Sequence, residues 1–167
     1  MKAFTVREPW ATLIALGKKP EETRSRPTKY RGPVAVHTSA RTPFGQFAAV
    51  MEEDRVKIAF RDYSTRDLFV YHVSGGMALG CFVAVAELYD CVPVEQVEDD
   101  GLGDYSPGRW AWRLEDVRRV APFRAKGFLG LWSVKPGDVA RLVEAEAKAA
   151  KELAGRVVAG STEERAS

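Results

Sequence analysis

An amine, a carboxylate and a guanidinium fall within six residues of one another in Gly17-Lys18-Lys19-Pro20-Glu21-Glu22-Thr23-Arg24. Lys19, placed after a helix end and a turn, can hold an anion or act as a base if burial lowers its pKa. It can equally be a solvated turn residue or a charge that complements a helix C-terminus. Glu22 and Arg24, two positions apart, share one side of a strand. They suit a carboxylate that reads N–H groups or moves a proton, beside a guanidinium that holds phosphate or fixes Glu22. The same pair on an open surface would be worth under about 1 kcal/mol.

Other residue types extend this chemistry. Arg109 begins a Trp-rich segment after a turn and suits a phosphate. Trp10 offers either a stacking face for a base or core packing. Glu87 is a carboxylate inside an apolar strand, so it should be paired or shifted in protonation; it is either a partner for Lys19 or a barrel-end residue facing water. Tyr105 and Ser106 bring hydroxyls, which a turn explains equally well. His37 ends a strand, where a structural role is the simpler one, and Trp112 and Trp132 read as core. His37, His72, Cys81 and Cys91 show no ligand spacing, so no metal site is expected. Neither standard Gly-rich phosphate loop is present, and no cofactor is expected.

These residues need elements to position them. Met1–Arg7 alternates as a short strand. Glu8–Gly17 reads as a compact helix, with Pro9 in its first turn, Gly17 past its end, and Trp10, Leu13 and Ile14 at helical spacing. Glu22–Ser25 and Val34–Thr38 read as strands, and Phe47–Phe60 as a helix before an irregular connection at 61–76. Leu79–Cys91 is apolar on both faces up to Glu87, as a central strand is. An acidic loop over 95–104 leads to an alternating strand at Arg109–Leu114, and Phe123–Val134 makes one or two more. Pro136 opens a last helix to about Ala154, with Val139, Leu142, Val143 and Leu153 inward, and 156–167 reads as a frayed tail. Short, dispersed strands without an internal repeat predict one α+β domain, a small mixed β-barrel with flanking helices.

Composition narrows the class. With 167 residues, 46% apolar and 29% charged, the chain can bury a real core, and eight Phe, four Trp and five Tyr rule out disorder. No run reaches the roughly 18 to 20 apolar residues of a membrane span. Charged Lys2, Arg7 and Glu8 argue against a signal peptide, and two isolated cysteines fit buried thiols in a reducing cytoplasm. Charge is uneven: residues 1–50 carry nine basic against three acidic groups, a balance of +6, while 51–100 carry four against eleven, a balance of −7. Residues 101–150 return to nine against six, or +3. If the first and third blocks meet, they form a basic face suited to an anionic ligand.

The segment 17–24 fits G-x-K-x-x-E-x-R, which resembles the signature of the ASCH family, PUA-like β-barrel domains related to RNA-binding modules. Four further blocks fall in the same order: Arg7-Glu8-Pro9-Trp10-Ala11, Leu88-Tyr89-Asp90-Cys91, Tyr105-Ser106-Pro107-Gly108-Arg109-Trp110-Ala111-Trp112, and Gly127-Phe128-Leu129-Gly130-Leu131-Trp132. The resemblance spans about residues 1 to 135, with 46–76 as an insertion and the tail from Pro136 outside the common domain. Glu8 stands where the Pro-Trp subgroup would have Gln.

The resemblance implies a cleft beside the first helix that takes nucleotides or RNA. Different relatives are credited with RNA binding, with ribonuclease activity, or with hydrolysing the amide of acetylated cytidine. The family's amidohydrolase uses Lys, Thr and Glu; Lys19 matches the lysine, whereas Glu22 stands at the threonine position. Two functions follow as expectations. In one, the domain binds RNA or a modified nucleoside or nucleotide, with Lys19, Arg24 and Arg109 on phosphate, Glu22 on a base edge, and Trp10, Tyr105 and Ser106 nearby. In the other, it is a small metal-independent hydrolase in which Lys19 and Glu22 or Glu87 exchange a proton. No membrane partner is expected, and the oligomeric state stays open.

Overall fold

The computed structural model describes residues 1–41, 49–61 and 78–163. In chain order the elements are β1 (Lys2–Val6), α1 (Trp10–Ala15), β2 (Glu21–Arg24), β3 (Gly32–Thr38), α2 (Asp54–Phe60), β4 (Cys81–Pro93), β5 (Trp110–Arg124), β6 (Leu131–Ser133) and α3 (Pro136–Glu163). The six strands form one mixed sheet in the order β2–β5–β4–β3–β1–β6, curled into a half-barrel. β1 runs parallel to β3 and antiparallel to β6, and the remaining pairs are antiparallel.

β4 is central because its residues are apolar in both directions. Val83, Ala86 and Leu88 join Phe4, Val36, Ile14 and Trp112 on the face covered by α1. Phe82 and Val85 join Ala35, Val120 and Leu142 on the face covered by α3. A smaller cluster of Leu13, Val56, Phe60 and Leu102 ties α2 and the acidic loop to α1. Among the described residues, no helix is long and apolar enough to cross a membrane.

Several elements differ from the sequence expectation, each for a physical reason. β5 runs on to Arg124 instead of stopping at Leu114. Its charged stretch, with Glu115 and Asp116 exposed, conceals a strand held by pairing with β4 across three register shifts. The expected strand from Phe123 to Val134 is interrupted: residues 125–130 form a loop, and only Leu131–Ser133 pairs with β1. The helix expected over Phe47–Phe60 is interrupted: residues 49–51 are helical, 52–53 turn, and the regular helix starts at Asp54; positions 47, 48 and 62–76 of that region lie outside the described residues. α3 continues to Glu163 rather than ending near Ala154. Its inward stripe is buried Leu142 and Ala145 with half-buried Val139, whereas Val143 and Leu153 are exposed, because the sheet contacts one narrow side of the helix.

Candidate functional site

The route from α1 to β2 sets the site. Gly17 takes φ +69 and donates its N–H to the Ile14 carbonyl at 2.8 Å, while Lys18 N–H reaches Leu13 O at 2.9 Å. This pair of bonds is the Schellman motif that glycine past a helix end allows. Lys19 N–H also reaches Leu13 O, at 3.2 Å, so the chain reverses tightly. The Lys19 side chain is thereby carried inward, with 1% of the residue's surface left to solvent. Its ammonium donates to the Glu21 carbonyl at 2.5 Å and lies 3.6 Å from Glu22 Oε2. The acidic loop closes over it: a Cβ on Gly103 would stand 3.2 Å from Lys19 Nζ and 3.0 Å from Thr23 Oγ1. Lys19 is therefore not an open phosphate contact, contrary to the sequence expectation; it supports Glu22 from behind.

On β2, side chains alternate as a strand requires. Glu21 and Thr23 are buried: Glu21 pairs with Arg113 at 3.2 Å, and Thr23 Oγ1 accepts from the Asp104 N–H at 3.1 Å. Glu22 and Arg24 point the other way, 3.1 Å apart. Arg24 also donates to the Thr5 carbonyl at 2.9 Å, and its guanidinium lies 5.6 Å from the Phe4 ring centroid and 5.5 Å from that of Trp112. Arg109, immediately before β5, reaches across to β2, with Nε donating to Asp104 O at 3.0 Å and Nη2 to Thr23 O at 3.3 Å. Its Nη1 lies 3.3 Å from Asp104 Oδ2.

Glu22 and Arg24 open onto a cleft of about 490 Å³, whose walls include Arg7, Trp10 and Arg109. The basic first and third blocks of the sequence thus meet there. Another wall is Phe128–Gly130, in the loop that follows β5. His37 holds that loop from below. Its Nε2 faces the Ala125 carbonyl at 3.1 Å, so this nitrogen carries the proton, and burial lowers the ring's pKa. Thr5 Oγ1 donates to Phe128 O at 2.9 Å.

The other expected residues fall elsewhere. Glu87 is half-buried near Tyr30 and Gly32, where burial and then the Glu87 charge raise the Tyr30 pKa, and it does not line the cleft or meet Lys19. Its strand carries it to the opposite end of β3, beside Pro33. Tyr105 and Ser106 are engaged inside the acidic loop: the Tyr105 hydroxyl donates to Asp100 at 3.1 Å, and that of Ser106 to Asp104 at 2.5 Å. Burial, then Asp100, pushes the Tyr105 pKa up. Trp10 is half-buried, packing on the core while it also lines the cleft.

Sequence reasoning missed Arg7, Phe128 and Leu129 as cleft residues. Arg7 is the first residue past β1, and Phe128-Leu129 sits between Gly127 and Gly130; that bracketing was the available sign of a loop. It also missed Glu8, whose carboxyl is buried, accepts the Thr12 N–H at 3.0 Å, and is pushed up to about 7 by desolvation.

The ASCH domain family matches residues 4–124. Among solved structures, the crystal structure of ASCH from Zymomonas mobilis is 15% identical, with a TM-score of 0.50; the match covers 86% of this chain and 93% of that one. The structure of a point mutant of that protein is 14% identical at the same TM-score, covering 86% and 96%. At this identity the likeness is one of fold. No curated protein matches the chain.

Proposed function

The chain belongs to the ASCH domain family, and from that premise we propose that it binds RNA or a phosphorylated nucleoside in the cleft beside α1. The observation that carries this reading is the convergence of Arg7, Arg24 and Arg109, from three separate segments of the chain, on one concavity that also holds Trp10 and Glu22. Arg7 and Arg109 take phosphate. Arg24, already committed to Glu22 and to the Thr5 carbonyl, adds positive potential and fixes the carboxylate. Glu22 accepts hydrogen bonds from the N–H edge of a base, and Trp10 gives that base a partly exposed face.

Binding of this kind weakens with salt in proportion to the phosphates contacted. Titration of short RNAs and nucleoside monophosphates over a salt series tests the reading. Affinity that Arg7→Ala and Arg109→Ala both lower supports it, and affinity unchanged in both removes the cleft from the account.

A hydrolytic reading rests on a different observation, the Glu22 carboxylate opening onto the cleft with the Lys19 ammonium 3.6 Å behind it. There Glu22 would activate a water for attack on an ester or amide of a nucleoside or RNA, with the cleft arginines facing the developing anion. Turnover on a panel of acylated nucleosides and RNAs that Glu22→Gln abolishes, with affinity retained, would establish it.

A further inference from the structure

We propose that the loop Lys126–Gly130 carries a second base position at the rim of the cleft, formed by Phe128 and Leu129, so that the ligand is a single strand of at least two nucleotides rather than a free nucleotide. The inference rests on the reading of the cleft as a phosphate and base site, and goes beyond it by fixing the class of ligand.

The loop displays its apolar side chains outward. Leu129 is 99% exposed and Phe128 44% exposed, side by side at the mouth of a cleft lined by arginines. A single exposed leucine is ordinary. Here the pair is held in place. Thr5 Oγ1 anchors the Phe128 carbonyl, His37 anchors that of Ala125, and the Trp132 ring meets Phe128 edge-on, with centroids 5.3 Å apart and planes at 63°. Gly127 lies directly against His37, where a Cβ would come within 2.4 Å of the ring. Such a loop is ordered before any ligand arrives, so little conformational entropy is lost on binding.

Lys126 supplies the matching charge, with its ammonium 5.4 Å from the Phe128 ring centroid. An aromatic face with a cation beside it, next to a groove of guanidiniums, is the combination by which proteins hold unpaired bases and their phosphates. A base occupying the cleft against Trp10 would leave its neighbour in the strand at this rim, with the linking phosphate near Arg7. Bases within a duplex have both faces stacked and cannot use such a surface.

The experiment measures binding of adenosine and uridine monophosphates, their dinucleotides, a single-stranded hexanucleotide RNA and a duplex, to the full chain and to Phe128→Ala, Phe128→Trp and Arg109→Ala. A gain from monophosphate to dinucleotide is expected. Phe128→Ala should lower hexanucleotide affinity roughly tenfold more than monophosphate affinity, and Phe128→Trp should restore it. Arg109→Ala should lower both. Equal losses in Phe128→Ala for both ligands, no loss for the hexanucleotide, or duplex binding as tight as single-strand binding overturns the second position while leaving the cleft reading intact. Failure of every nucleotide to bind overturns both.

Discussion

The ammonium of Lys19 lies 3.6 Å from the Glu22 carboxylate while almost none of it meets solvent. Its contribution is therefore to stability and to the orientation of Glu22. Lys19→Ala strips the Glu21 carbonyl and Glu22 of a buried cation and is expected to cost about 3–5 kcal/mol. The midpoint of urea unfolding reads this directly. In the fraction that remains folded, the salt dependence of nucleotide binding should keep its slope, since every group that meets phosphate is still in place.

Arg7 and Arg109 are expected to behave differently. Each alanine variant should make the slope of log affinity against log salt shallower by about one unit for each phosphate that the missing guanidinium neutralised. Arg109 also ties Asp104 and the Thr23 carbonyl together. Arg109→Lys keeps the charge but loses the forked geometry, so its affinity should fall between those of the unaltered protein and the alanine variant.

Glu8 gives a stability that depends on pH. Its carboxyl ordinarily titrates near 4.5, and burial pushes it up to about 7. Between those values the unfolded chain has released a proton that the folded one retains, so stability falls as pH rises from about 4.5 to about 7 and is level above. The loss amounts to about 3 kcal/mol. Glu8→Gln removes the charge, and thermal unfolding should find it more stable by about that amount at pH 8 and little changed at pH 4.

Gly127 faces His37 so closely that an added methyl would stand 2.4 Å from Cε1 and 2.5 Å from Nδ1. Gly127→Ala must displace either the buried ring or the loop, at a cost of about 1–3 kcal/mol. RNA affinity should drop with it, since Phe128 and Leu129 move with the loop. A variant with the original melting temperature and affinity would show that the ring gives way freely.

Much of the arrangement was legible in the residues themselves. Gly17 announced the end of α1, the two-faced apolar run of β4 announced the centre of the sheet, and the spacing of Glu22 and Arg24 placed both on one side of β2. What was hidden depends on distant partners. The alternation of β5 reads only as far as Leu114, yet pairing with β4 carries the strand on through Glu115 and Asp116. The burial of Lys19 follows from Gly103, more than eighty positions away, and no local pattern reports it. Glu87 read equally as a partner for Lys19 or as a barrel-end residue, because one strand contains no information about which end of the barrel its neighbours occupy; it lies beside Pro33, away from Lys19. Phe128 and Leu129 read as part of a strand, because apolar composition is the same whether a segment pairs within the sheet or loops away and turns its side chains out.

β1 lies between β3 and β6, with Ala3 opposite both Ala35 and Trp132. This arrangement governs when the cleft can exist during synthesis. One wall comes from residues 5–7, another from 22–25, and the last from 128–130, so the closing contacts join the beginning of the chain to a segment made more than a hundred residues later. Contacts of such long sequence separation form slowly and late. A nascent chain displays the whole Gly17–Arg24 segment early, yet no pocket can form around it until β6 has emerged and docked beside β1.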